Sequence, residues 1–133
     1  MNAPQTAPAK FALTGPLTIT PPALADGELW AGIVTTDAGL HHVILLPGDQ
    51  DCARWEKQIA WTESIGGSLP DRVELATLRC TLPDEFKPDW YWSCEQHAVT
   101  PGYAWYQHFD FGYQGSYDIT TELRARAVRR VAI

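Results

Sequence analysis

The chain has 133 residues, of which 45% are apolar and 20% charged, and a net charge of −6. That composition argues against wholesale disorder, and the acidic balance disfavours a binder of nucleic acid, whose affinity comes from cationic contacts. Three cysteines without CxxC spacing (Cys52, Cys80 and Cys94) speak against a disulfide framework and for synthesis in a reducing compartment.

In chain order, Met1 to Lys10 is rich in Ala, Pro, Thr and Gln and has no apolar signal-peptide core. Residues 1–25 are expected to form an arm for attachment or oligomerisation, and residues 26–133 the domain. FALTGPLTIT, from Phe11, reads as a short strand or two extended segments broken at Gly15-Pro16. Glu28 to Gly48 holds the clearest hairpin, two β-rich runs about Asp37-Ala38-Gly39. Asp51 is placed to cap a helix from Cys52 to Ile65, with Trp55, Ile59 and Thr62 on one face and Gly66-Gly67 as its stop. Asp71 and Glu74 have capping-box spacing for a second helix, striped by Leu75, Leu78 and Leu82. From Trp90 onward strands return: YWSCEQ, YAWYQHFDFG, SYDIT and RARAVRRVAI. No run approaches the roughly 20 apolar residues needed to span a membrane. Strands, two helices, then strands predict an α+β domain with a mainly antiparallel sheet.

Tyr103 to Tyr117 holds seven of the fifteen aromatic residues. Strand alternation puts Tyr103, Trp105, Gln107, Phe109 and Phe111 on one face, expected to be core, and Ala104, Tyr106, His108 and Asp110 on the other, expected to point outward. Tyr113, Gln114, Ser116, Tyr117 and Asp118 surround the glycines Gly112 and Gly115. Tyrosine mixed with Gly, Ser, Gln and Asp is the composition of adaptable binding surfaces. The candidate ligand-binding residues are therefore Tyr106, His108, Asp110, Tyr113, Gln114, Tyr117 and Asp118. The six tryptophans are assigned mostly to the core, Trp105 among them, with a cost of roughly 3–5 kcal/mol for Trp105→Ala.

No catalytic, metal or cofactor residue is assigned. His41 and His42 are adjacent and face opposite ways, and His97 and His108 lie on separate segments, so no zinc-ligand spacing is recognisable. Ser93-Cys94-Glu95 with His97 has the residue types of a nucleophilic centre, but adjacency in sequence is not triad geometry. Cys94 reads as a buried, inert thiol. The basic run RARAVRR reads as a strand with a polar face carrying Arg124, Arg126 and Arg130.

WEKQIAWTESIGGSLPDRVELATL, followed in order by YWSCEQ, AWYQHFDFG and RARAVRRV, resembles a family of unknown function grouped with the C-terminal domain of the Legionella collagen-like adhesin. The likeness spans about residues 28 to 133. It implies a C-type-lectin-like fold: two helices packed on a mainly antiparallel sheet, with first and last strands adjacent and the late strands and loops presenting the ligand surface. Relatives of this kind are common in phages and prophages, and distant members of the fold include phage tropism determinants and formylglycine-generating sulfatase activators. The calcium-site tripeptides Glu-Pro-Asn, Gln-Pro-Asp and Trp-Asn-Asp of sugar-binding lectins are absent, so calcium-dependent sugar binding does not carry over. Cys94 has no partner cysteine nearby, so the activators' oxidase chemistry does not carry over either.

The resemblance thus implies a non-enzymatic recognition module without cofactor, a phage tail-fibre or baseplate protein binding a protein or glycan on a host surface. It would be made in the host cytoplasm without a signal peptide, enter no membrane, assemble as a homo-oligomer, and meet other virion proteins through its arm. The alternatives are an intracellular phage or prophage protein that inhibits a host defence complex by binding, and third, a sulfatase-activator-like enzyme.

Overall fold

The structure is a computed structural model that describes residues 15, 16, 18–37 and 39–133. Leu29–Thr36 (β1) and Gly39–Leu45 (β2) form the predicted hairpin, with Thr36 opposite Gly39. Gln50–Ala53 (β3) is a strand, and the first helix, Trp55–Ser64 (α1), begins only after it. This corrects the expected helix start at Cys52. Pairing of β3 with a later strand outcompetes the cap: Asp51 directs its carboxylate at Arg124, and the helix N-cap is Arg54, without a side-chain bond. The Trp55 N–H, one of the donors a helix leaves unpaired, goes instead to the Ile119 carbonyl at 3.0 Å.

The end of α1 is as predicted. Gly66 adopts φ +81° and donates to the Glu63 carbonyl, while Gly67 donates to that of Thr62, a Schellman arrangement. Gly67 also permits close approach, because a Cβ there would sit 2.6 Å from a Leu46 methyl and 2.9 Å from the Val128 carbonyl. Arg72–Thr81 (α2) opens on the predicted capping box: Glu74 N–H donates to Asp71 at 2.7 Å and Asp71 N–H to Glu74 at 2.8 Å. Leu75 and Leu78 are buried, with Leu82 packed against the same core.

Trp90–Gln96 (β4), Tyr103–His108 (β5), Gln114–Asp118 (β6), Leu123–Ala125 (β7) and Val128–Ala132 (β8) follow. The strands form a three-stranded sheet, β1-β2-β8, and a five-stranded sheet, β3-β7-β4-β5-β6. Among the described residues only the short β4–β7 pairing is parallel. The architecture is α+β, two helices with mainly antiparallel sheets. The closing segment is two strands rather than one, passing between sheets at Arg126-Ala127, and β8 pairs with β2 rather than with β1, which lies at the edge among the described residues. Thr18–Thr20 are not in a strand, and residues 1–14 and 17 of the expected arm lie outside the described residues. Ala23 to Glu28 is tied to β8, since Arg129 donates to both Glu28 carboxylate oxygens at 2.7 and 2.8 Å and to the Ala23 carbonyl.

Two cores flank the five-stranded sheet. One gathers Val34, Val43, Leu75, Leu78, Tyr91 and Phe109 towards α2 and the smaller sheet. The other gathers Trp55, Trp92, Ala104, Tyr106 and Leu123 towards α1. Tyr91 and Trp92, neighbours on β4 and so on opposite faces, are both fully buried. This two-sided cover corrects the assignment of faces on β5. Tyr106 and His108, expected outside, are only 6% and 4% exposed, and Phe111, expected inside, is 77% exposed. The arginines are corrected too: Arg124 and Arg126 are buried rather than on a polar face. Arg124 meets Asp49 at 2.8 Å, and the Tyr91 hydroxyl donates to the same carboxylate at 2.6 Å. Arg126 donates to the Leu46 and Glu85 carbonyls.

Of the six tryptophans, Trp55 and Trp92 are core, Trp61, Trp90 and Trp105 are half-buried, and Trp30 is exposed. Trp105 stacks on His97 with ring centres 5.0 Å apart, and the Arg72 guanidinium sits 3.7 Å from its ring centre. We therefore expect Trp105→Ala to cost about 1–2 kcal/mol in urea unfolding, the sum of a partial burial and a cation–π contact, rather than the loss of a core indole.

Candidate functional site

β5 ends at His108, and the chain turns back through Phe109–Gly112 to β6. Gly112 N–H donates to the His108 carbonyl at 3.0 Å, and His108 N–H to that of Tyr113 at 2.8 Å. Phe111 N–H donates to His108 Nδ1 at 3.0 Å, so the neutral imidazole carries its proton on Nε2. Beyond the last strand residue the period of two no longer applies. That is why Phe111 leaves the core face and stands in solvent.

Around this turn the rings form a continuous row. Tyr117 stacks on Tyr106 (centres 4.9 Å apart, planes 15°), and Tyr106 meets Tyr113 edge-on at 6.2 Å. Tyr113 stacks on His108 at 5.0 Å, His108 on Phe111 at 5.2 Å, and Trp90 closes on the imidazole edge-on at 4.6 Å. Gly115 lies opposite Tyr106 on β6, and a Cβ there would come within 2.6 Å of the phenol oxygen, so the bare backbone seats that ring. The outer members Tyr113 and Tyr117 are 46% and 41% exposed. Buried Tyr106 and His108 thus act as a backing for exposed Phe111, Tyr113 and Tyr117.

The other predicted residues are not part of the row. Gln114 is directed to the opposite face, where its amide donates to the Arg72 carbonyl at 2.7 Å and to Gln107 at 2.9 Å. Asp110 is exposed in the turn, its carbonyl accepting from Arg79 at 3.0 Å. Asp118 is exposed and accepts from the backbone and hydroxyl of Thr120, at 2.9 and 2.7 Å. Those bonds hold its carboxyl below the ordinary range and start the turn into β7.

Two concavities adjoin this region. The larger, about 990 Å³, lies on the Gln114 side between α2 and the β1–β2 turn, lined in part by Asp71, Arg72, Glu95, Gln107 and Gln114. Its polar groups largely satisfy one another: Arg72 N–H donates to Glu95 at 2.8 Å and Arg72 Nε to Gln114 at 3.2 Å. The smaller, about 360 Å³, opens beside Tyr117 and is lined by Trp90, Asp89, Glu122, Thr121 and Leu123 together with Cys52. Size favours the first, but the exposed rings adjoin the second. Trp90, Asp89, Glu122 and Phe111 were not expected at a site. Only the position of Phe111 just past a strand end and before Gly112 offered a signal.

Ser93 is fully buried, with its hydroxyl accepting from Glu95 N–H at 3.1 Å. Cys94, expected buried, is exposed; even so, desolvation by the protein around its sulfur pushes the thiol up to about 11, leaving little thiolate at neutral pH. His97 Nδ1 accepts from the Val99 and Thr100 backbone. Among the described residues, no group of three or more His, Cys, Asp or Glu is placed to hold a metal ion, and no helix is long and apolar enough to cross a membrane. No protein-family model matches the chain, and no curated protein matches its sequence.

Proposed function

We propose that this protein is a non-enzymatic recognition module that binds a macromolecular partner through Phe111, Tyr113 and Tyr117. We propose further that it has the C-type-lectin-like fold and serves as a bacteriophage tail-fibre or baseplate protein docking on a host surface. The observation that carries the reading is the ring row itself: three exposed aromatics held in stacks by two buried ones. Exposed aromatic area is what interface hot spots are made of. Rings already fixed by their neighbours lose little freedom on binding, which favours affinity. The phage setting rests on the resemblance of the ordered motifs from Trp55 to Val131.

Phe111→Ala and Tyr113→Ala are each expected to weaken binding of labelled protein to susceptible bacterial cells by more than about 1 kcal/mol, roughly fivefold. Both side chains stand largely outside the cores, so thermal melts should move by only a few degrees. Mass spectrometry of purified virions should find the chain. Its absence there, with binding to a cytoplasmic host complex that the same variants weaken, would replace the virion reading with that of an intracellular inhibitor. Unchanged binding in both variants would remove the ring row from the interface.

A further inference from the structure

We infer that the cavity beside Tyr117 is a receptor pocket for one organic cation, a lysine or arginine side chain presented by a protein partner. The inference deepens the recognition reading and rests on it for the partner, but the pocket itself can be probed alone. Two aromatic residues, Trp90 and Tyr117, line the space together with two acidic ones, Asp89 and Glu122. Aromatic faces attract cations through their quadrupole, and desolvation strengthens that attraction. Carboxylates at the same opening add charge-assisted hydrogen bonds.

The acidic groups are open to a new partner. Asp89 uses one oxygen to accept from Trp90 N–H at 2.8 Å, and Glu122 is exposed without an ion pair among the described residues. No basic residue lines the cavity among those described. The nearest buried cation in sequence, Arg124, is engaged by Asp49 at 2.8 Å and Asp51 at 3.3 Å. Desolvation and then the Asp89 carboxylate raise the Cys52 thiol at the same opening, against the opposing charge of Arg124. Among the described residues no group of three or more His, Cys, Asp or Glu is placed to hold a metal ion, so the donor set fits an organic cation better. At about 360 Å³ the space is near the lower end of ligand pockets, roughly 300–1,000 Å³, and suits a single side chain rather than a cofactor. The net charge of −6 favours approach of a basic partner.

The test is a titration of the ¹⁵N-labelled protein with Nα-acetyl-lysine methylamide and with methylguanidinium, against the neutral Nα-acetyl-norleucine methylamide. The inference expects saturable shifts of the Trp90 indole N–H and of the Tyr117 and Glu122 amides, with a Kd on the order of 1 mM for a cation. Glu122→Gln, at an exposed position, should weaken that binding about fivefold with an unchanged melt, and Tyr117→Leu should weaken it similarly. Absence of saturation, or equal shifts with the norleucine compound, would overturn the cation pocket. If that happens while Phe111→Ala and Tyr113→Ala still weaken cell binding, the pocket falls and the recognition reading stands. Cation binding in a chain whose partner binding ignores those two variants would have the reverse meaning.

Discussion

Glu74→Ala is expected to lower the unfolding free energy by about 3 kcal/mol, measured as a shift of the urea midpoint at constant slope. Glu74 is fully buried, and four groups donate to its carboxylate. Asp71 N–H at 2.8 Å and Arg130 Nη2 at 2.7 Å reach one oxygen; Arg130 Nε at 2.8 Å and His41 Nε2 at 2.9 Å reach the other. One side chain therefore completes the cap of α2 and joins that helix to β2 and β8. Its loss leaves the buried His41 without that partner and the guanidinium without its counter-charge. Arg130 is one-third exposed and can turn to water, which places the cost at the low end of the range of about 3–5 kcal/mol for a broken buried pair.

The same site sets a pH dependence. Burial alone would raise the Glu74 carboxyl, but Arg130, the Asp71 backbone and His41 together hold it below the ordinary range. A carboxyl depressed in the folded state stabilises above its unfolded value, and that contribution disappears as pH falls through the folded value. Stability should therefore drop below the ordinary carboxylate range near 4.5, and drop less steeply in Glu74→Ala. Glu28, held down at about 2 by Arg129, acts with the same sign. Asp71 opposes both, since burial raises its carboxyl.

Trp92→Ala is expected to cost about 4–5 kcal/mol, the upper part of the range for aromatic core truncations. The indole is fully buried among Trp55, Ala104, Tyr106, Leu123 and Ala125, and its N–H donates to the Ala53 carbonyl at 3.2 Å. The truncation opens a cavity where α1 meets the larger sheet and leaves that carbonyl without its donor. It also loosens the seat of Tyr106, so the partner binding proposed for the ring row should weaken along with stability. A loss below about 1 kcal/mol in urea unfolding would show that Trp92 is not central to this core.

Local signals carried much of the fold. The Asp71/Glu74 box, the Gly66-Gly67 stop and the hairpin around Asp37 depend on neighbouring residues, and each stands where the sequence puts it. Signals that depend on distant partners were less reliable. Asp51 has the chemistry of a cap, yet a strand that pairs across seventy or more residues claims its segment. Alternation on β5 separates two faces correctly but cannot say that a layer covers each of them, which is why Tyr106 and His108 are buried; nor can it say that the cover stops short of Trp105, which meets Arg72 and His97 instead. At the candidate site, composition singled out the tyrosines. It did not single out Asp89 and Glu122, because folding alone brings the ends of β3, β4 and β6 together with the start of β7.

The passage of the final segment from one sheet to the other also bears on how the chain is made. β7 lies between β3 and β4, and β8 closes the smaller sheet against β2. A nascent chain that has not yet released Leu123–Ala132 from the ribosome therefore has neither sheet complete. Its β2, β3 and β4 edges are open while tryptophan-rich strands are already in solution, a state prone to aggregation. Formation of the native structure must wait for these pairings of high sequence separation, so folding should be slow.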